Sequence, residues 1–248
     1  VEIPASNVRR LSWDGSYNAR DLGSYATRDG GFTQSRRFVR SDTLQKLSAA
    51  GQAALIDYGV RTIVDLRLPV ELTSGPNPFA ASDGHGIAYL HRSFIDPTRT
   101  QENNGAAGLA DHYRDNLTSS SGRITAILET LAGADDGAVL FHCQGGQDRT
   151  GLIAAFLLDI AGVPEETIVA DYFLTAELLE PSKADFLENG PGERDERERA
   201  VAFFNPTVEV MHATIAFLNR EYGGFSGFLR QDGLTPSTVA ALRARLLD

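Results

Sequence analysis

The stretch Gly137-Ala138-Val139-Leu140-Phe141-His142-Cys143-Gln144-Gly145-Gly146-Gln147-Asp148-Arg149-Thr150-Gly151 decides the fold. It opens as a strand-like apolar run and leads into a helix-like one, Leu152-Ile153-Ala154-Ala155-Phe156-Leu157-Leu158. A strand that feeds a helix through a glycine turn leaves the first N–H groups of that helix unpaired, and their partial positive charge favours an anion. The chain's only cysteine stands at the start of the turn. The same field lowers a thiol pKa and makes a thiolate nucleophile available near neutral pH. A cysteine, five intervening residues and an arginine suit hydrolysis of a phosphate monoester through a cysteinyl-phosphate.

In that reading Cys143 attacks phosphorus in line with the leaving oxygen. Arg149 offers a planar fork of donors for two equatorial phosphate oxygens, a geometry lysine cannot reproduce. Gly145 and Gly146 let the backbone curl, so that N–H groups along Gln144, Gly145, Gly146 and Gln147 converge on the phosphate. Thr150 donates to the thiolate and eases its departure in the second step. His142 is expected to organise the loop rather than act as a base. The plainer alternative is a buried cysteine beside a glycine turn. It does not account for Cys, Gly, Arg, Thr and Gly in one short window.

These residues resemble the His-Cys-x5-Arg-Ser/Thr-Gly signature of the cysteine-dependent protein tyrosine phosphatases. The closer resemblance is to the bacterial branch that includes the mycobacterial secreted tyrosine and lipid phosphatases. Asn18-Ala19-Arg20-Asp21-Leu22-Gly23, Phe38-Val39-Arg40-Ser41-Asp42, Val64-Asp65-Leu66-Arg67 and the closing Tyr222 to Leu229 are similar to recurring stretches of that branch, in the same order. The resemblance implies an α/β, protein-tyrosine-phosphatase-like fold, a central and mostly parallel sheet flanked by helices, with a helical lid insertion. It also implies metal-independent hydrolysis without a cofactor. Gln147 stands where the branch has lysine, and the lost cation weakens any assignment to multiply charged phosphoinositides.

The leaving group needs a carboxylic acid that then serves as base for water. Asp148, inside the loop, resembles the aspartate to which the branch gives this role, and it is preferred. Asp96, in Phe94-Ile95-Asp96-Pro97, is the rival; its plainer role is a turn cap. Asp65 ends an apolar strand, where catalytic groups of α/β sheets gather, but an ion pair with Arg67 or Arg20 is its simpler role.

With 248 residues and 42% apolar content, the chain is expected to form one phosphatase domain, residues 1–248. A formal charge of −10 disfavours nucleic acid and anionic lipid surfaces as partners. The five histidines lack metal-ligand spacing, so no metal is expected. One cysteine excludes an intrachain disulfide and suits a reducing, cytoplasmic setting. No stretch reaches the length of a membrane span. Val1-Glu2-Ile3-Pro4 is not a signal peptide, although a start without methionine leaves the true N-terminus, and secretion, open.

Alternating patterns predict a helix over Thr43–Tyr58, strands over Val60–Leu66 and Ile87–Phe94, and helices from Gly105 through Leu117 and over Ile124–Leu131. Pro164-Glu165-Glu166 starts a helix towards Leu179, and three closing helices follow Pro206. Residues 175–205 are the candidate lid, with Phe186, Leu187, Phe203 and Phe204 as its apolar underside. The charge run Glu193 to Arg199 reads as a solvated helix face. Tyr113, Phe94 and Tyr172 are candidates to stack on a phosphotyrosine ring, with core packing at least as good an account of each. The expected substrate is a phosphotyrosine protein or a similar aryl phosphate. Alternatives are a phosphorylated metabolite or nucleoside intermediate, a phosphoinositide, or a phosphate-binding pseudoenzyme. Sulfur transfer and arsenate reduction fit less well, because they call for another loop length or further cysteines.

Overall fold

The computed structural model describes residues 9–81, 86–98 and 107–248. Val1–Pro4, and the expected helix start at Gly105 and Ala106, lie outside the described residues. Five strands form one sheet in the order β1-β2-β5-β3-β4: β1 (Arg20–Asp21), β2 (Phe38–Ser41), β3 (Val60–Asp65), β4 (Ala88–His91) and β5 (Ala138–His142). Only the β1–β2 pair is antiparallel. The mixed α/β architecture with a central, mostly parallel sheet is as expected.

The apolar run of β5 follows from its central place. Val139 and Phe141 point into one core and Ala138 and Leu140 into the other, so neither face meets water. The larger core receives α3 (Leu109–Ala132), α4 (Asp148–Ala161), α5 (Glu165–Leu178), α8 (Val208–Tyr222), α9 (Phe225–Gln231) and α10 (Pro236–Leu247). The smaller core is closed by α1 (Ala49–Tyr58) and Trp13. His142 lies in register with Ser41 on one side and Asp65 on the other. The strands therefore end together, and the segments leaving them meet at the carboxyl edge where α/β sheets place ligands.

Several boundaries differ from the sequence pattern. The helix expected over Thr43–Tyr58 is a 3-10 turn, Leu44–Lys46, followed by α1. The Ser48 hydroxyl accepts from Gly51 N at 3.1 Å, and that cap starts a new helix. The two helices expected up to Leu117 and from Ile124 are the halves of α3, which bends at Ser120 (φ −122). The strand expected over Ile87–Phe94 contracts to Ala88–His91. A short helix α2 (Pro69–Ser74) was not anticipated. Pro69 opens it, and Glu71 Oε2 accepts from Leu68 N at 2.7 Å.

Within residues 175–205, α5 continues to Leu178, and α6 (Glu180–Asn189) and α7 (Arg194–Phe203) form a hairpin. Arg197 ties its arms together by donating to Leu187 O at 3.1 Å and Gly190 O at 2.9 Å. The remaining charges face water, with Arg194 and Glu198 2.9 Å apart. Neither α6 nor α7 holds a fully buried residue. Shallow packing of this kind places the hairpin at the low-stability end of the fold.

Candidate active site

Each carbonyl of the Cys143 loop is drawn to a donor outside it. Cys143 O accepts from His142 Nδ1 at 3.0 Å and Gln144 O from Thr43 N at 2.9 Å. Gly145 O accepts from Asn18 Nδ2 at 3.0 Å and Gly146 O from Arg40 Nη2 at 2.8 Å. In a trans peptide the N–H points opposite its carbonyl, so the N–H groups of Gln144, Gly145, Gly146 and Gln147 face the other way. None of them meets an acceptor among the described residues. They join the unpaired first turn of α4 in a nest of donors shaped for an anion.

Gly146 has φ +66, and a Cβ there would fall 2.5 Å from Ser41 O. Only glycine allows the turn to approach β2. Gly145 has no such need: a Cβ would first meet Leu179 Cδ1 at 3.8 Å. The curl rests on one glycine rather than two.

Behind the nest lies a buried cluster that holds it. Arg40 Nη1 donates to Asp171 Oδ2 at 2.5 Å, and Arg20 Nε to Asp171 Oδ1 at 2.9 Å. Tyr25 donates to the same Oδ1 at 2.7 Å, and Arg20 also bonds Asn18. Two guanidiniums and one carboxylate leave a net positive charge beneath the loop, shielded from water. Burial pushes the Asp171 carboxyl up, but Arg20 and Arg40 overcome it and hold the carboxyl well below the usual range.

A second cluster holds His142. Its Nδ1 faces a carbonyl and so carries a proton, while Nε2 lies 3.0 Å from Asn77 Nδ2 and 3.2 Å from Asp65 Oδ2. Asp65 also receives Arg67 Nη2 at 2.8 Å and the Tyr89 hydroxyl at 3.0 Å. Burial opposes the Asp65 charge, but His142 and Arg67 prevail and depress its carboxyl. Asp65 is fully engaged in orienting the loop, and its arginine partner is Arg67; Arg20 belongs to Asp171.

Arg149 is held by Glu71, which the sequence reading missed. Nη1 and Nη2 donate to the two Glu71 oxygens at 2.5 and 2.8 Å. This end-on pair leaves the Nε–H edge of the fork for two phosphate oxygens. Burial acts against the Arg149 charge, yet Cys143, Glu71 and Asp148 outweigh it and raise its pKa. Thr150 Oγ1 is buried with no partner among the described residues, a donor still uncommitted.

Asp148 opens α4. Its Oδ1 accepts from the Tyr113 hydroxyl at 2.5 Å and from Gln147 Nε2 at 3.1 Å, whereas Oδ2 receives no donor among the described residues. Tyr113 in turn lies 2.9 Å from the Tyr172 hydroxyl. Asp96 instead caps a turn, accepting from Thr98 N at 2.9 Å, and lies 3.6 Å from Arg123. Tyr113, Phe94 and Tyr172 are buried in the core, so of the two roles open to them it is core packing that holds and not ring stacking. Two of the three serve Asp148 through their hydroxyls.

A model of the tyrosine phosphatase family matches residues 11–248, nearly the whole chain. The chain belongs to that family. Among relatives of this phosphatase, a tyrosine-protein phosphatase of Nostoc commune is 32% identical over 216 residues, covering 84% of this chain and 74% of its own. The triple specificity protein phosphatase PtpB of Mycobacterium tuberculosis is 27% identical, with 97% and 99% covered. The present chain is thus a cysteine-dependent phosphatase of the tyrosine phosphatase type.

Beside the phosphatase loop opens a cleft of about 630 Å³, walled by Gln144, Gly145 and Gln147 on one side and by Phe186 and Phe204 of the hairpin region on the other. Lys46 and Lys183 stand at this cleft. Among the described residues no cluster of three or more His, Cys, Asp or Glu could hold a metal. Among them, too, no single helix is long and apolar enough to cross a membrane.

Proposed function

We propose that this phosphatase hydrolyses phosphotyrosine in proteins, with Cys143 as nucleophile, Arg149 and the loop N–H groups as the phosphate site, and Asp148 as the acid. The observation that carries the reading is the outward anchoring of all four loop carbonyls, which leaves the N–H nest above Cys143 preorganised. In the first step the Cys143 sulfur bonds to phosphorus, the ester P–O bond breaks, and Asp148 protonates the departing oxygen. In the second, Asp148 takes a proton from water, which displaces the thiolate while Thr150 steadies it. The uncommitted Oδ2 of Asp148 is the atom for that proton. The neighbouring cleft, lined by Phe186 and Phe204 together with the lysines Lys46 and Lys183 and the carboxylates Asp42 and Asp185, has room for the residues flanking a phosphotyrosine. A thiol nucleophile needs reducing surroundings, and the cytoplasm is the proposed setting.

Asp148→Asn is expected to lower kcat/KM by about 10²–10³-fold for an aryl phosphate with a poor leaving group, and by far less for para-nitrophenyl phosphate. The same steep dependence in Asp96→Asn, with none in Asp148→Asn, transfers the role to Asp96. Phosphotyrosyl peptides are expected to outrun phosphoseryl peptides, nucleotides and phosphoinositides in a phosphate-release panel. Preference for a nucleotide would favour the small-molecule reading.

A further inference from the structure

Gln147 is the residue that precedes α4, yet its side chain does not cap that helix. The amide turns away instead: Nε2 donates to Phe204 O at 2.7 Å and to Asp148 Oδ1 at 3.1 Å. One primary amide nitrogen carries two protons, so both bonds form at once. Phe204 closes α7, so a single buried side chain spans the hairpin and the carboxylate of Asp148. Apart from the Arg197 bonds that join its own arms, the other polar ties around the hairpin are longer. Lys183 lies 3.3 Å from Asn205 and Lys46 lies 4.0 Å from Asp185, both near water. Phe203 adds an edge contact to His112, 6.2 Å between ring centres.

We propose that Gln147 is a positioning residue that couples the seating of the α6–α7 hairpin to the alignment of Asp148. The inference rests on the reading of Asp148 as the acid. With the hairpin seated, Asp148 Oδ1 is held by Gln147 and Tyr113, and Oδ2 is left for the leaving oxygen. With the hairpin raised, Nε2 loses Phe204 O and the amide turns to water. Asp148 then keeps Tyr113 alone and swings about its own side-chain bonds. Proton delivery to a poor leaving group therefore requires the seated hairpin, whereas attack by Cys143 does not.

Gln147→Leu removes both donors at similar volume, and Gln147→Lys restores an N–H donor set at the same place. Two readouts test the coupling on the full chain: amide hydrogen exchange over residues 180–204, and kcat/KM for aryl phosphates of low and high leaving-group pKa. In Gln147→Leu the hairpin amides are expected to exchange about tenfold faster, the scale of one lost hydrogen bond. The loss of kcat/KM is expected to be about tenfold larger for the poor leaving group than for the good one. Gln147→Lys is expected to recover both. Unchanged exchange, or equal losses for the two leaving groups, would overturn the coupling. Asp148→Asn in the same panel separates the two assignments. A steep dependence there with none in Gln147→Leu removes only the coupling. No dependence in Asp148→Asn places the acid elsewhere, and the coupling falls with it.

Discussion

Replacing Cys143 by serine is expected to cut phosphate release from para-nitrophenyl phosphate by about 10⁴-fold or more, the scale on which loss of a nucleophile acts. A serine hydroxyl at this position has no neighbouring base to activate it, because His142 is committed to Cys143 O and to the Asp65 cluster. The phosphate site survives the change. The four loop carbonyls keep their donors and Arg149 keeps Glu71, so the variant is expected to bind an aryl phosphate that it does not turn over. Isothermal titration with an aryl phosphate alongside the activity assay reads both halves. Full activity in the variant contradicts the mechanism. An inactive parent that still binds phosphate would identify a pseudoenzyme.

The second large effect is on stability. Asp171→Asn is expected to destabilise the fold by about 3–5 kcal/mol, the cost of leaving a buried ion pair without its partner. That is a large share of the roughly 5–15 kcal/mol by which domains of this kind are stable. Two arginines depend on this one carboxylate, and the side chains of all three are at most 1% exposed. The acid dependence follows from the direction of the shift. The Asp171 carboxyl is depressed in the fold, so its contribution is complete above the unfolded value of about 4 and disappears as pH falls towards the folded one. Asp65 acts in the same sense. Thermal melts of the parent should therefore fall steeply below about pH 4, and Asp171→Asn should lose part of that dependence. A variant as stable as the parent near neutral pH contradicts the account. Activity should suffer as well, because Arg40 carries Gly146 O from the same cluster.

What could be read along the chain was local. The Cys143 loop, its strand and its helix were legible because their chemistry is contiguous and their burial shows as an unbroken apolar run. Asn18 and Arg40 were visible only as recurring stretches, whereas an ion pair of Asp65 with Arg67 or Arg20 was expected and forms with Arg67; what these residues do together appears once the fold gathers them around the loop. Asp171 gave no signal: it lies 151 positions from Arg20, and nothing in the local pattern of its helix announces a tertiary ion pair. Glu71 was missed although its helix carried a start signal in Leu68-Pro69-Val70-Glu71. Tyr113 and Tyr172 were weighed as stacking rings against plain core packing, and the sequence pattern gave no sign that their buried hydroxyls form a chain to Asp148. Gln147 stood out as a lost cation, whereas in the fold its neutral amide provides two bonds, one to Phe204 O at the end of the hairpin and one to Asp148.

The most direct test of the central claim is to trap the covalent intermediate. The enzyme is mixed with an aryl phosphate carrying radioactive phosphorus, quenched in denaturant during turnover, digested and mapped. The account predicts label on the peptide containing Cys143, absent in Cys143→Ser. Label on any other residue, or rapid turnover with no labelled protein at all, would contradict it.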